Sequence, residues 1–236
     1  MNCIVTGASS GIGFFTALEL ANTSPDNLVF ALGRSREGLI ELENQSKYKN
    51  VKTFSFDLGQ SDFSPIITQI SEFFKINSNG AIDVLINNAG YLVNKSFTEL
   101  TSADWLKTFE INLLAPVKLI QILLPYFNKE EGSHIVNISS MGGVQGSRKF
   151  SGLSAYSASK AAIANLTESL ATEFKNSKIH VNAICPGAVE TKMLKSAFPG
   201  FNAPIGPDLM GKYIANFALT NGKLMNGRII QVSLEG

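Results

Sequence analysis

Short runs of apolar, mostly β-branched residues alternate with longer stretches of helical periodicity along the whole chain. The runs fall at Asn2–Thr6, Asn27–Leu32, Val51–Ser55, Asp83–Asn87, His134–Ile138, His180–Ile184 and Arg228–Val232. They are nearly continuous in apolar residues, the pattern of strands covered on both faces; a half-buried strand would alternate. Helical spacing marks Ile12–Ala21, Phe63–Lys75, Ala103–Phe127 and Ser157–Lys175. Strand–helix–strand repetition predicts an α/β fold, a parallel sheet wound with helices on both faces. Gly142–Ser154 and Pro199–Pro207, rich in Gly, Pro and Ser, interrupt the pattern and are candidates for a substrate mouth.

Composition narrows this picture. A chain of 236 residues suits one compact domain over residues 1–236, and 44% hydrophobic with 17% charged residues is a globular balance. No unbroken apolar run is long enough to cross a bilayer, so no membrane is expected. The net charge of +1 leaves no electrostatic footprint for nucleic acid and favours a small-molecule substrate. Cys3 and Cys185 lie in apolar runs and read as small buried hydrophobes. The chain opens on a strand-like run without a charged leader, which points to the cytoplasm. His134 and His180 each begin a strand without metal-ligand spacing, so both are expected to be structural and no metal is expected.

The first strand runs directly into Thr6-Gly7-Ala8-Ser9-Ser10-Gly11-Ile12-Gly13 and then a helix. Gly7 permits a tight turn, Gly11 lets the backbone approach a pyrophosphate, and Gly13 lets helix pack against strand. The helix N-terminus, with Ser9, Ser10, Gly11 and Ile12 around it, offers free N–H groups and a positive dipole end to phosphates. After the second strand stands Gly33-Arg34-Ser35-Arg36, with no acid to hold a ribose 2′-hydroxyl. Arg34 offers a planar fork suited to a 2′-phosphate and Ser35 a further hydroxyl, which favours NADP(H) over NAD(H). Asp57-Leu58 follows the third strand, where an adenine edge would lie. Asn88-Ala89-Gly90 follows the fourth, where small residues leave room for the cofactor.

Tyr156 and Lys160 share one helix face, four residues apart. A phenol loses its proton near pH ~10, and an ammonium held beside it would lower that value toward neutrality. Ser139-Ser140 closes the fifth strand and puts a hydroxyl at the carboxyl edge of the sheet, where ligands of such folds bind. Within the long helix, Pro116 has no N–H for the carbonyl of Asn112, so a kink and a free carbonyl are expected there. Such a carbonyl beside a lysine is a seat for a proton-relay water.

In this order the motifs resemble those of the short-chain dehydrogenase/reductase family: Thr-Gly-x3-Gly-x-Gly, Asn-Asn-Ala-Gly, then Asn, Ser and Tyr-x3-Lys. The resemblance spans essentially the whole chain and includes Pro186-Gly187 after the sixth strand. It implies a single-domain Rossmann fold with seven parallel strands in the order 3-2-1-4-5-6-7. It further implies that Tyr156 donates a proton to the carbonyl oxygen and that Ser140 holds that oxygen. Lys160 would bind the nicotinamide ribose and tune Tyr156, Asn112 would hold the relay water, and Val189 with Thr191 would grip the carboxamide. The expected activity is NADPH-dependent reduction of a ketone or aldehyde by a homodimer or homotetramer. Alternatives are an oxoacyl thioester reductase and a cofactor-binding sensor or scaffold without turnover.

Two departures from the family pattern stand out. The stretch from Ser140 to Tyr156 is longer than usual, so Gly146-Ser147-Arg148-Lys149-Phe150 is expected to form an enlarged, more basic loop near the substrate. Fewer than fifty residues follow Gly187, so a reduced lid is expected, with Phe198 and Phe201 its aromatic members. Glu130-Glu131 and Thr172 stand where a branch that docks acidic acyl carriers has basic residues, which disfavours that route.

Overall fold

A computed structural model describes residues 1–76, 80–220 and 224–234. Its strands are β1 (Asn2–Thr6), β2 (Leu28–Gly33), β3 (Val51–Ser55), β4 (Val84–Asn87), β5 (Ser133–Ile138), β6 (Ile179–Pro186) and β7 (Ile229–Val232). Every pairing is parallel, and the order is β3-β2-β1-β4-β5-β6-β7. The chain therefore forms a single-domain, doubly wound Rossmann-type sheet. Its strand order reverses between β1 and β4, the point at which such sheets open a crevice at their carboxyl edge.

Alternate residues of each strand feed two cores. Cys3, Val5, Val29, Ala31 and Ile86 face one side, beneath α1 (Gly11–Thr23), α2 (Arg36–Gln45) and α8 (Pro207–Thr220). Ile4, Phe30, Leu85, Ile135 and Val181 face the other, beneath α3 (Ser64–Phe73) and α5 (Ala115–Leu123). The helix α6 (Ser154–Glu173) adds Ala171 to this second core. Both cysteines are fully buried, and burial pushes the Cys3 thiol up to about 12. Within the long helical run Ser102–Tyr126, which is apolar enough to span a membrane by length and composition, Leu119, Ile120 and Leu123 lie under the sheet.

Two sequence expectations change. The helices α2 and α8, together with the six-residue α7 (Lys192–Ala197), are absent from the helical pattern. In α2 only Leu39 and Leu42 are buried, too few to set a periodicity. In α8 the glycine at position 211 marks a close contact and not a break: a Cβ there would stand 2.6 Å from that of Phe15 on α1. Finally, Pro116 produces a π turn in place of a simple kink. The helix α4 (Ser102–Phe109) continues through Glu110–Leu114 into α5, and the Ala115 N–H donates to the Glu110 carbonyl, five residues back.

His134 is a core residue, as expected. Its Nδ1 lies 3.1 Å from the Ala218 carbonyl, and its Nε2 accepts from Asn182 Nδ2 at 2.9 Å, so the neutral ring is the form that fits. Burial lowers its pKa from 6.5 to about 4. Below pH ~6.5 the unfolded chain takes up a proton that the folded chain refuses. Stability that is complete above pH ~6.5 is therefore lost as the pH falls to about 4, by about 3 kcal/mol in all. Urea midpoints compared at neutral and mildly acidic pH check this. The acid-induced loss is expected to shrink in His134→Gln.

Candidate active site

The carboxyl ends of β1, β4, β5 and β6 open into a cavity of about 710 Å³. At one end stands the glycine turn. Gly7 has φ +68°, a conformation that suits glycine, and a Cβ on it would lie 2.8 Å from the Cα of Ala89. Thr6 Oγ1 ties this turn to the end of β4 by accepting from the N–H groups of Asn88 and Ala89, each at 3.0 Å. Asn88 Nδ2 closes the connection by donating to the Thr6 carbonyl at 2.9 Å. Gly13 lies behind the cavity wall: a Cβ there would stand 2.2 Å from Asn88 Nδ2 and 2.5 Å from the Gly7 carbonyl. Its part is packing, as the sequence suggested.

Ser10 is the N-cap of α1 and makes no side-chain capping bond, so its side chain leaves the first-turn N–H groups of the helix unclaimed. Ser9, Ser10, Gly11 and Ile12 all line the cavity. This open helix start fits a pyrophosphate. Ser9 is held from beneath by two glycines. A Cβ on Gly33 would stand 2.9 Å from the Ser9 nitrogen, and one on Gly38, within α2, 2.0 Å from its carbonyl oxygen. The role of Gly38 has no sequence signal except a glycine inside a helix.

Arg34, Asp57 and Leu58 line the same end of the cavity. Ser35 does not: it is the N-cap of α2, and its Oγ accepts from the Gly38 N–H at 3.2 Å. Ser35 is exposed and its hydroxyl proton is not used in this cap. Pro186, Gly187, Val189 and Thr191 line the opposite wall beyond β6, with Thr191 capping α7 through the Leu194 N–H.

Ser140, Tyr156 and Lys160 meet on that wall. Ser140 acts on the Tyr156 phenol by favouring its ionised form, and its hydroxyl accepts from the Gly142 N–H at 3.2 Å. Lys160 is buried, and its Nζ donates to the Ile138 carbonyl at 2.7 Å. Ser139, the neighbour of Ser140, anchors the same helix turn by donating to the Lys160 carbonyl at 2.6 Å.

The electrostatics differ from expectation. The Lys160 Nζ stands 5.8 Å from the Tyr156 ring centre, and burial lowers its own pKa to about 8. Burial is the dominant influence on Tyr156 and raises its pKa, with Ser140 opposing. Tyr156 is thus held as a neutral phenol near pH 7, the form that can donate a proton.

Asn112 stands one layer behind the cavity. Its Oδ1 accepts from the Tyr91 N–H at 2.7 Å, and its Nδ2 donates to the Tyr91 carbonyl and to Ser159 Oγ, both at 2.9 Å. Ser159 Oγ in turn donates to the Tyr156 carbonyl at 2.7 Å. The side chain therefore braces the Tyr156 turn against the segment after β4. Gly90 lies beside both groups: a Cβ on it would stand in ordinary contact, 3.6 Å from Asn112 Oδ1 and from Lys160 Nζ. Tyr91 and Ser159 escaped the sequence reading because each meets Asn112 across a long stretch of chain.

A Rossmann sheet with an open helix start at one end of its crevice and a Ser–Tyr–Lys cluster at the other defines a dinucleotide-dependent oxidoreductase class. The short chain dehydrogenase family model matches residues 2–200. The chain belongs to that family and is an oxidoreductase of it. It is 33% identical over 191 residues to a 3-oxoacyl-(acyl-carrier-protein) reductase of Thermotoga maritima, covering 81% of this chain and 75% of that protein. Among solved structures it is similar to actinorhodin polyketide ketoreductase with NADPH, at TM-score 0.84 and 26% identity over 98% of this chain and 95% of that one. The 3-ketoacyl-(acyl-carrier-protein) reductase of Brucella melitensis with NADH shares the fold, at TM-score 0.86 and 22% identity over 98% and 96% of the two chains. These likenesses support a nicotinamide cofactor.

Proposed function

We propose that the protein reduces a ketone or aldehyde with NADPH, with Tyr156 as the general acid. The observation that carries this reading is the meeting of Ser140, Tyr156 and Lys160 on one cavity whose other end is the open start of α1. When bound, the cofactor supplies the hydride. Ser140 then orients the carbonyl oxygen, Tyr156 delivers a proton to it, and Lys160 seats the nicotinamide ribose. Asn112 and Ser159 hold the Tyr156 turn in register.

The preference for NADPH rests on Arg34, which lines the adenine end of the cavity where no acid follows β2. Dissociation constants for NADPH and NADH check it. NADPH is expected to bind at least about tenfold tighter, a charge-assisted contact of about 1.4 kcal/mol, and Arg34→Leu to erase the difference. Equal affinities in the wild type would refute this preference.

An oxoacyl thioester is a second substrate reading, supported by the name of the Thermotoga maritima relative. Exposed Glu130 and Glu131 disfavour delivery by an acidic carrier protein. Assembly into a homodimer or homotetramer is supported by Leu106 and Leu114, exposed apolar residues on the α4–α5 run. Ile120 and Leu123 of α5 and Ile163 of α6 are buried within the chain and offer nothing to such an interface.

A further inference from the structure

The enlarged loop after Ser140 is folded around a single ammonium. Lys149 Nζ donates to the Gly142 carbonyl at 2.8 Å, to the Val144 carbonyl, and to the Ser147 hydroxyl at 3.0 Å. Ser147 Oγ lies within hydrogen-bond distance of the Met141 and Val144 carbonyls. Neighbouring segments fix the loop's far end. The Lys95 N–H donates to the Gly152 carbonyl at 3.1 Å, and Asn94 Nδ2 donates to the Ala197 carbonyl at 2.7 Å. Across the mouth, Glu190 accepts from the Ala203 N–H at 2.8 Å and pairs with Lys195 at 2.7 Å. The mouth is therefore a built surface, and the side chains it presents are set by the fold.

Two of those side chains are Arg148 and Phe150, both exposed and both lining the cavity, with the guanidinium carbon 5.3 Å from the ring centre. Phe198 and Phe201 line the cavity from the opposite segment. No acid occurs between Met141 and Leu153. None of the three ion pairs among the described residues involves Arg148, and Glu190, the acid of the opposite segment, is already engaged. The other charges of the lining come from other segments, and among the described residues Lys192 is the one further lining cation on the side of Phe198. Arg34 and Asp57 follow β2 and β3, Lys160 is anchored on β5, and Lys192 follows Thr191 at the start of α7.

We propose that the mouth selects a carbonyl compound with an aromatic-sized apolar body and an anionic oxygen group, carboxylate or phosphate, paired with Arg148. The carbonyl part of this assignment rests on the reductase reading; the anion site does not. An apolar body seated against Phe150 and Phe201 strips water from the guanidinium, and an ion pair gains strength as it is desolvated. The planar fork suits either oxygen group in two-point contact.

The test measures binding to the protein saturated with oxidised cofactor, which cannot reduce a ketone, by calorimetry. The probes are phenyl ketones ending in a carboxylate on tethers of increasing length, their methyl esters, and the matching phosphate monoesters. At the best tether one anionic form is expected to bind about tenfold tighter than the ester, and the tighter of the two names the group. Arg148→Gln, a change at an exposed position, brings that ratio close to one with ester affinity unchanged, and Arg148→Lys restores part of it. The preference weakens as salt is raised. A ratio near one in the wild type, or a ratio that survives Arg148→Gln, overturns the proposal. Turnover of the same ketones with NADPH is followed in parallel. Anion preference without turnover of any ketone removes the reductase reading and leaves the anion site standing.

Discussion

Replacing Tyr156 by phenylalanine is expected to lower kcat/KM for carbonyl reduction by about a thousandfold, within the usual range for loss of a general acid. NADPH affinity is expected to stay within about twofold, because the ring remains and only its hydroxyl is lost. The expectation follows from the site's construction. Ser140 and Tyr156 line the same cavity, and burial raises the proton affinity of the phenol further. Lys160, held on the Ile138 carbonyl and with its pKa lowered to about 8, is the other buried acid of the cluster. It cannot replace the phenol without leaving that carbonyl unpaired. Steady-state rates and cofactor fluorescence titrations on the same preparations separate the two effects. A loss smaller than about tenfold would mean that the proton reaches the substrate by another route.

Gly13→Ala is expected to weaken NADPH binding by about thirtyfold or more and to destabilise the protein by about 2 kcal/mol. Alanine in place of glycine inside a helix ordinarily stabilises by up to about 1 kcal/mol, so the expected sign is reversed. The reason is space. The new methyl would stand 2.2 Å from Asn88 Nδ2 and 2.5 Å from the Gly7 carbonyl, neither of which is a free side-chain end. Asn88 is fixed by its bond to the Thr6 carbonyl, and the Gly7 carbonyl belongs to the turn itself. Relief of the clash moves α1, and with it the N–H groups that face the phosphates. Urea denaturation and NADPH titration measure the two losses. Unchanged affinity in a destabilised variant would detach the glycine turn from the cofactor.

The seven strands were legible because parallel strands covered on both faces leave nearly unbroken apolar runs, as in Val84–Asn87 and Ser133–Ile138. The polar α2 and the glycine-bearing α8 were not, since their burial is set by partners elsewhere in the chain. The same division runs through the site. Gly7, Arg34, Ser140, Tyr156 and Lys160 stand out by residue type and order, and the fold brings all five onto one cavity. The cap that Ser35 makes on α2 was not read from the sequence, because a hydroxyl after a strand can serve a helix start as well as a ligand. The Tyr156 proton affinity was misjudged for a related reason. Spacing puts a lysine near, but burial and the hold of the Ile138 carbonyl decide where its charge acts. The basic loop at Arg148 was visible as composition, whereas its folding around Lys149 was not.

The proposed reaction moves a hydride between a nicotinamide cofactor and a carbonyl carbon within this cavity. The most direct measurement uses NADPH deuterated at the transferable position of the nicotinamide ring, with a panel of ketones and aldehydes, and follows the label by mass spectrometry. The account predicts that the label from one face of the ring appears on the carbinol carbon of the alcohol product, and that this transfer is lost in Tyr156→Phe. NADPH bound tightly with no label in any product, in wild type and variant alike, would contradict it.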